Sequence, residues 1–165
     1  FLMPDSRRKL EASSWLAVVR AYQECHRRYA RLMETFGLTT PQFDALNAIS
    51  RLGEHAAPKS IAAELVVTRG NITGVLHRLE EAGLVVTRAN AADGRSFLCE
   101  LTDDGASLLS AARRAAAAFI REQLAPFSDE ELEHTESRMQ RMRAHLMTID
   151  PEAVASSTTT NGPAG

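Results

Sequence analysis

With 165 residues, 44% of them hydrophobic, and a formal charge of −2, the chain has the length for one domain with a real core and is no polycation. Affinity for nucleic acid would have to come from local placement of charge. Two cysteines, Cys25 and Cys99, cannot build a disulfide framework, no apolar run approaches the roughly 20 residues of a membrane helix, and the N-terminal residues lack an export-signal core, so a reducing cytoplasmic setting is expected.

The first predicted helix covers residues 14–36, where Trp15, Val18, Val19, Tyr22, Cys25, Tyr29, Leu32, Met33 and Phe36 recur at spacings of three and four. Gly37 fits its C′ position. Thr40 as N-cap and Pro41 in the first turn open a second helix that runs to Leu52, before Gly53. Residues 58–65 and 69–83 give two more helices, with Thr68 capping the second. Residues 85–88 and 96–101 are β-branched or alternating and flank a loop containing Asp93-Gly94-Arg95, which reads as a hairpin. Thr102 caps a helix that reaches Leu124 and is interrupted by Pro126. Ser128 and Glu131 then form a capping box for a last helix ending near Met147. Residues 151–165, rich in Ser, Thr, Gly and Ala, have nothing to bury and are expected to be a flexible tail.

The fold class is therefore mainly α with a small β-hairpin wing. Its order is four helices, a strand, the wing loop, a strand and two helices. Residues 38–102 make a winged helix-turn-helix, and residues 1–36 with 103–147 make a helical dimerisation region. The first helix is about 35 Å long at its rise per residue. A winged unit over residues 58–101 cannot cover that apolar face. The last helix carries Leu132, Met139, Met142 and Leu146 on one side. A second copy of the chain is the expected cover, the alternative being that the end helices pack on each other within a monomer.

A helix-turn-helix followed by a hairpin places one helix in a DNA major groove and a basic finger beside it. In the helix from Arg69, the buried face is Ile72, Val75, Leu76 and Leu79. The opposite face shows Arg69, Gly70, Thr73, Gly74 and His77, bordered by Asn71 and Arg78, with no acid before Glu80 and Glu81. Thr68 would cap the helix end whose N–H groups and dipole suit phosphate. Arg95 at the loop tip could enter a narrow minor groove, with Asp93 holding the loop or pairing with an arginine. Over residues 58–101, Lys59, Arg69, Arg78, Arg88 and Arg95 are balanced by Glu64, Glu80, Glu81, Asp93 and Glu100, so segregation of charge favours DNA, not its sum. An ordinary solvated helix face and a solvated turn are the plainer alternatives.

In order and spacing, several pieces resemble one family. They are Leu38-Thr39 with Gln42-Phe43, Ile61-Ala62 and Leu65, Val67-Thr68-Arg69, Arg78-Leu79-Glu80, Gly83-Leu84-Val85 and Arg88, Asp93-x-Arg95, and Leu101-Thr102 with Gly105. Over residues 14–146 the chain resembles the MarR family of bacterial winged-helix regulators. The resemblance implies a dimer joined by its terminal helices that represses genes until a small anionic or phenolic molecule, or an oxidant, lowers its DNA affinity. Arg95 resembles the family's wing arginine and Asp93 its acidic partner. Position 74, often basic in relatives, is Gly here, and Gly94 stands where a second wing arginine would be.

The resemblance also implies an effector pocket between the dimer helices and the winged unit, with Tyr22, His26, Phe43, Asn47 and Arg113 as candidate lining. An aromatic carboxylate needs apolar walls and one or two donors. Tyr22 and Phe43 at helical spacing could equally be core, and His26 an exposed histidine. Cys25, followed by His26, Arg27 and Arg28, is a candidate redox thiol, although consecutive helical residues point different ways. Cys99, alternating with Phe97 and Leu101, reads as an inert core thiol. The five histidines lack metal-ligand spacing, and no P-loop, nucleophile elbow or His-Glu-x-x-His occurs, so neither a metal, a cofactor nor an enzyme is expected. The expected function is a homodimeric repressor on a pseudo-palindromic operator of double-stranded DNA, released by a phenolic or carboxylate effector. The alternatives are a thiol-based regulator acting through Cys25 and a winged-helix module that binds protein and no DNA.

Overall fold

A computed structural model describes residues 5–66, 68–90 and 96–159. The chain divides into two compact units, Phe1–Ile120 and Arg121–Gly165. The first contains α1 (Asp5–Glu34), α2 (Thr40–Leu52), a 3-10 turn (Gly53–His55), α3 (Pro58–Leu65), α4 (Arg69–Glu81), β1 (Val85–Ala89), β2 (Phe97–Leu101) and most of α5 (Asp103–Leu124). The second contains the end of α5, then α6 (Asp129–Leu146) and α7 (Pro151–Thr159).

Helix α1 begins nine residues before the apolar periodicity does. Its first turns are charged helix formers held by pairs one turn apart, such as Arg7 Nε donating to Glu11 Oε1 at 2.7 Å. It ends as expected, with Gly37 at φ +68° and the Leu38 N–H donating to the Met33 carbonyl at 3.1 Å. The N-cap of α2 is Thr39 rather than Thr40. Its Oγ1 accepts from the Gln42 N–H while Gln42 Oε1 accepts the Thr39 N–H at 2.8 Å, a reciprocal pair that Thr40 could not make. The capping box at Ser128 and Glu131 forms as predicted.

The core of the first unit joins Met33, Leu38, Leu46, Ile49, Ile61, Ile72, Leu76, Leu79, Val85, Cys99 and Leu109, drawn from every regular element between α1 and α5. Strands β1 and β2 pair antiparallel, with Val85 opposite Leu101 and Ala89 opposite Phe97. The free edge of β2 is not bare: the Cys99 N–H donates to the Ala56 carbonyl at 2.9 Å, so the backbone before α3 extends the sheet by one bond. Cys99 is fully buried there, and its thiol is pushed up to about 11 by burial, with the Glu80 carboxylate adding to the rise.

Residues 151–165 were expected as a flexible tail, but Pro151–Thr159 forms α7. Asp150 Oδ1 accepts the N–H groups of Glu152 and Ala153, and Pro151 sits where a missing N–H costs nothing. Neither signal depends on burial, which is why composition concealed it.

The turn between α3 and α4 stores strain. Val66 caps α3 in the left-handed region at φ +55°, a position β-branched residues avoid, and its side chain is 90% exposed. Val66→Asn should therefore stabilise the protein by about 1 kcal/mol, because Asn tolerates this conformation and no packing is lost. Urea denaturation measures the change; a loss of stability would show that Val66 is held by more than its backbone.

Candidate nucleic-acid interface

The candidate recognition face lies on α4. Thr68 caps it in extended geometry, its Oγ1 accepting the Asn71 N–H at 3.4 Å. Ile72, Leu76 and Leu79 anchor one side in the core. Gly70, Asn71, Thr73, Gly74, His77 and Arg78 stand exposed on the other, as predicted from the periodicity. The backbone of Arg69 lies in the first turn, while its side chain, together with Asp93 and Arg95, falls outside the described residues. A Cβ added at Gly70 or Gly74 would meet no atom within 4 Å, so both are open to close approach by another surface.

The acids near this face already have partners. Glu80 Oε1 accepts from Thr87 Oγ1 at 2.8 Å and ties the end of α4 to β1, and Glu81 Oε1 lies 3.6 Å from His77 Nε2. Among the cations, Arg88 is neutralised by Glu100 at 2.8 Å across the hairpin, and Arg51 by Glu64 at 2.5 Å. Lys59 and Arg78 make no ion pair among the described residues, so their charge remains available to an anion. The balance by sequence is thus a poor guide to the field, because one of the five cations, Arg88, and two of the five acids, Glu64 and Glu100, are consumed in ion pairs.

The candidate effector residues separate into two groups. Arg113 Nε on α5 donates to Asn47 Oδ1 at 2.7 Å, and Asn47 Nδ2 donates to the Phe43 carbonyl at 3.0 Å. Phe43 itself is buried and makes a T-shaped contact with Tyr29, which makes another with Phe119 at 5.8 Å between centroids. Tyr29 and Phe119 belong with this corner, although sequence periodicity marked Tyr29 only as an apolar helix residue and did not single out Phe119. Their pairing joins α1 to α5 between residues 90 positions apart, which no local pattern reveals. The Tyr29 hydroxyl is held above the usual phenol range, first by burial, then by the nearby Asp44 carboxylate and Cys25 thiol. Tyr22 and His26 stack on each other within α1, ring planes 20° apart, with Tyr22 67% exposed. Cys25 is half-buried. Among the described residues no group of three or more His, Cys, Asp or Glu side chains could hold a metal ion, and no helix is long and apolar enough to cross a membrane.

Residues 36–96 match the model of the MarR family. The chain is 30% identical over 119 residues to the transcriptional regulator PecS of Dickeya dadantii, covering 71% of this chain and 72% of that protein. It is 26% identical over 160 residues to the transcriptional activatory protein BadR of Rhodopseudomonas palustris, covering 95% of this chain and 91% of BadR. Its fold matches that of the organohalide-sensing regulator RdhR-CbdbA1625, solved with bound 2,4-dichlorophenol, with a TM-score of 0.72 at 18% identity over 88% of this chain and 87% of that one.

Proposed function

The chain belongs to the MarR family of winged-helix transcriptional regulators, DNA-binding proteins and not enzymes, and from that premise we propose that it is a cytoplasmic homodimeric repressor released from its operator by a small effector. The observation that carries the reading is the exposed side of α4, where Gly70, Asn71, Thr73, Gly74, His77 and Arg78 present polar and small groups while its acids are drawn to the far end. Helix α4 enters the major groove, Thr68 and the first-turn N–H groups meet phosphate, and the loop bearing Asp93 and Arg95 reaches the neighbouring minor groove.

Two copies are needed to read a pseudo-palindrome whose half-sites are centred about 10 bp apart. The unpartnered apolar side chains support this. Leu10, Trp15, Leu16 and Tyr22 are exposed along α1, and Met139, Met142 and Leu146 are exposed along α6. Burying them against a second copy removes apolar surface that a monomer would leave in water.

The effector belongs to the corner of Tyr29, Phe43, Phe119, Asn47 and Arg113. Aromatic walls suit a phenyl ring, and the Arg113 guanidinium suits a carboxylate or phenolate. The phenol bound by RdhR-CbdbA1625 supports that ligand class. Arg113→Ala should then abolish the rise in melting temperature produced by aromatic carboxylates while leaving ligand-free operator affinity unchanged; thermal shift and mobility shift read the two effects.

The governing experiment is a mobility shift on DNA upstream of the chain's own gene, with sedimentation of the free protein. A dimer whose affinity falls steeply with salt and is weakened by phenols or aromatic carboxylates supports the proposal. A monomer without operator affinity overturns it. The likeness to BadR favours activation as a second reading, and a reporter decides: its signal rises on loss of a repressor and falls on loss of an activator.

A further inference from the structure

A hollow of about 340 Å³ lies where α2, α3 and α4 meet. Pro41, Leu65, Ile72 and Val75 give it apolar walls, and the polar lining comes from Asp44 and Asn71. Its size reaches the lower end of small-molecule sites. It shares no lining residue with the corner formed by Asn47 and Arg113.

Asp44 sets the chemistry. It is half-buried and has no hydrogen bond or ion pair among the described residues. Arg51, the cation whose field reaches it, is tied to Glu64 at 2.5 Å. Burial raises the Asp44 pKa, with Arg51 opposing the rise, so folding disfavours the ionised carboxylate. A carboxylate against four apolar side chains, with Arg51 held by Glu64, is a costly arrangement that a bound cation would relieve. Among the described residues no cationic side chain lines the hollow, and the Asp44 carboxylate would repel an anion there. A single carboxylate is too few ligands for a metal ion.

We propose that this hollow binds a small organic amine, its ammonium group on the Asp44 carboxylate and the Asn71 amide oxygen, and its hydrocarbon body against Pro41, Leu65, Ile72 and Val75. The site is then of opposite charge preference to the corner at Arg113. Asn71 and Val75 belong to α4, so occupancy also changes operator affinity; that consequence alone rests on the DNA-binding reading, and ligand binding is measured without DNA.

Phenethylamine, phenylacetate and 2-phenylethanol share a skeleton and differ in charge, which makes them the probes. Proton–nitrogen correlation spectra of the full chain should show phenethylamine shifting the amides of Asp44, Asn71, Ile72 and Val75, with neither the anion nor the alcohol doing so. Asp44→Asn keeps the shape and removes the charge, and it also removes a carboxylate whose ionised form folding disfavours, so the variant is expected to fold. It should bind the amine at least about tenfold more weakly, the effect of one modest charge pair. The proposal is overturned if phenethylamine does not bind, if its shifts map elsewhere, if phenylacetate binds the same hollow as tightly, or if Asp44→Asn retains full affinity. None of these results depends on operator binding, so the inference and the regulator reading fail separately.

Discussion

Gly74→Glu is expected to abolish operator binding while the protein stays folded. Gly74 lies in the middle of α4 on its exposed side, and a Cβ there meets nothing within 4 Å. Replacing a helix-interior glycine with glutamate should even add stability, up to about 1 kcal/mol, from helix propensity alone. In the groove the same side chain sets a carboxylate against the phosphate backbone, and like charges so placed cost several kcal/mol, or a loss of at least about 100-fold in affinity. Gly74→Arg should do the reverse, tightening binding and steepening its salt dependence by about one phosphate contact per subunit. A folded Gly74→Glu variant with unchanged affinity would mean that α4 is not the reading helix. A protein-binding winged helix would respond to neither substitution in this salt-dependent way, so the pair also separates the two classes of function.

The legible parts of this fold were those written in short-range spacing. Ile72, Leu76 and Leu79, with the partly buried Val75, fix the inner side of α4 and, by subtraction, the side left exposed; the Ser128–Glu131 box and Gly37 mark helix ends through residues three or four apart. What escaped had long-range or non-apolar causes. The first turns of α1 are held by charged pairs rather than an apolar stripe, the Ala56 carbonyl meets Cys99 across the whole helix-turn-helix, and Tyr29 finds Phe119 only after the chain has folded back. The neutral charge tally could not say which charges stay available, for the same reason. Which arginine is consumed, as Arg88 is by Glu100, depends on strand register and not on composition. The hollow at Asp44 is a further case, since its lining comes from three helices and Asp44 has no hydrogen bond or ion pair among the described residues.

The largest expected effect on stability comes from a single methyl group at Gly105. This residue lies in the first turn of α5, and it is buried against the backbone that leads from α4 into β1. An added Cβ would fall 2.0 Å from the Leu84 carbonyl oxygen and 2.9 Å from its carbon, both backbone atoms that cannot swing aside as a side chain could. The same oxygen accepts the Thr102 N–H at 3.1 Å, while Thr102 Oγ1 donates to the Gly83 carbonyl at 2.8 Å and accepts the Gly105 N–H at 3.0 Å. Relieving the clash must therefore pull α5 away from β1 and break the bonds that join them. Gly105→Ala should cost about 3 kcal/mol or more from overpacking together with lost hydrogen bonds. For a chain of this size that is a fall of roughly 6–12 °C in melting temperature. Gly74→Ala adds the same methyl to open space and should raise the melting temperature instead, so calorimetry of the two variants compares identical chemistry with opposite sign. If Gly105→Ala melts with the wild type, the approach of α5 to β1 is looser than described, and the hairpin is not locked to the helix that follows it.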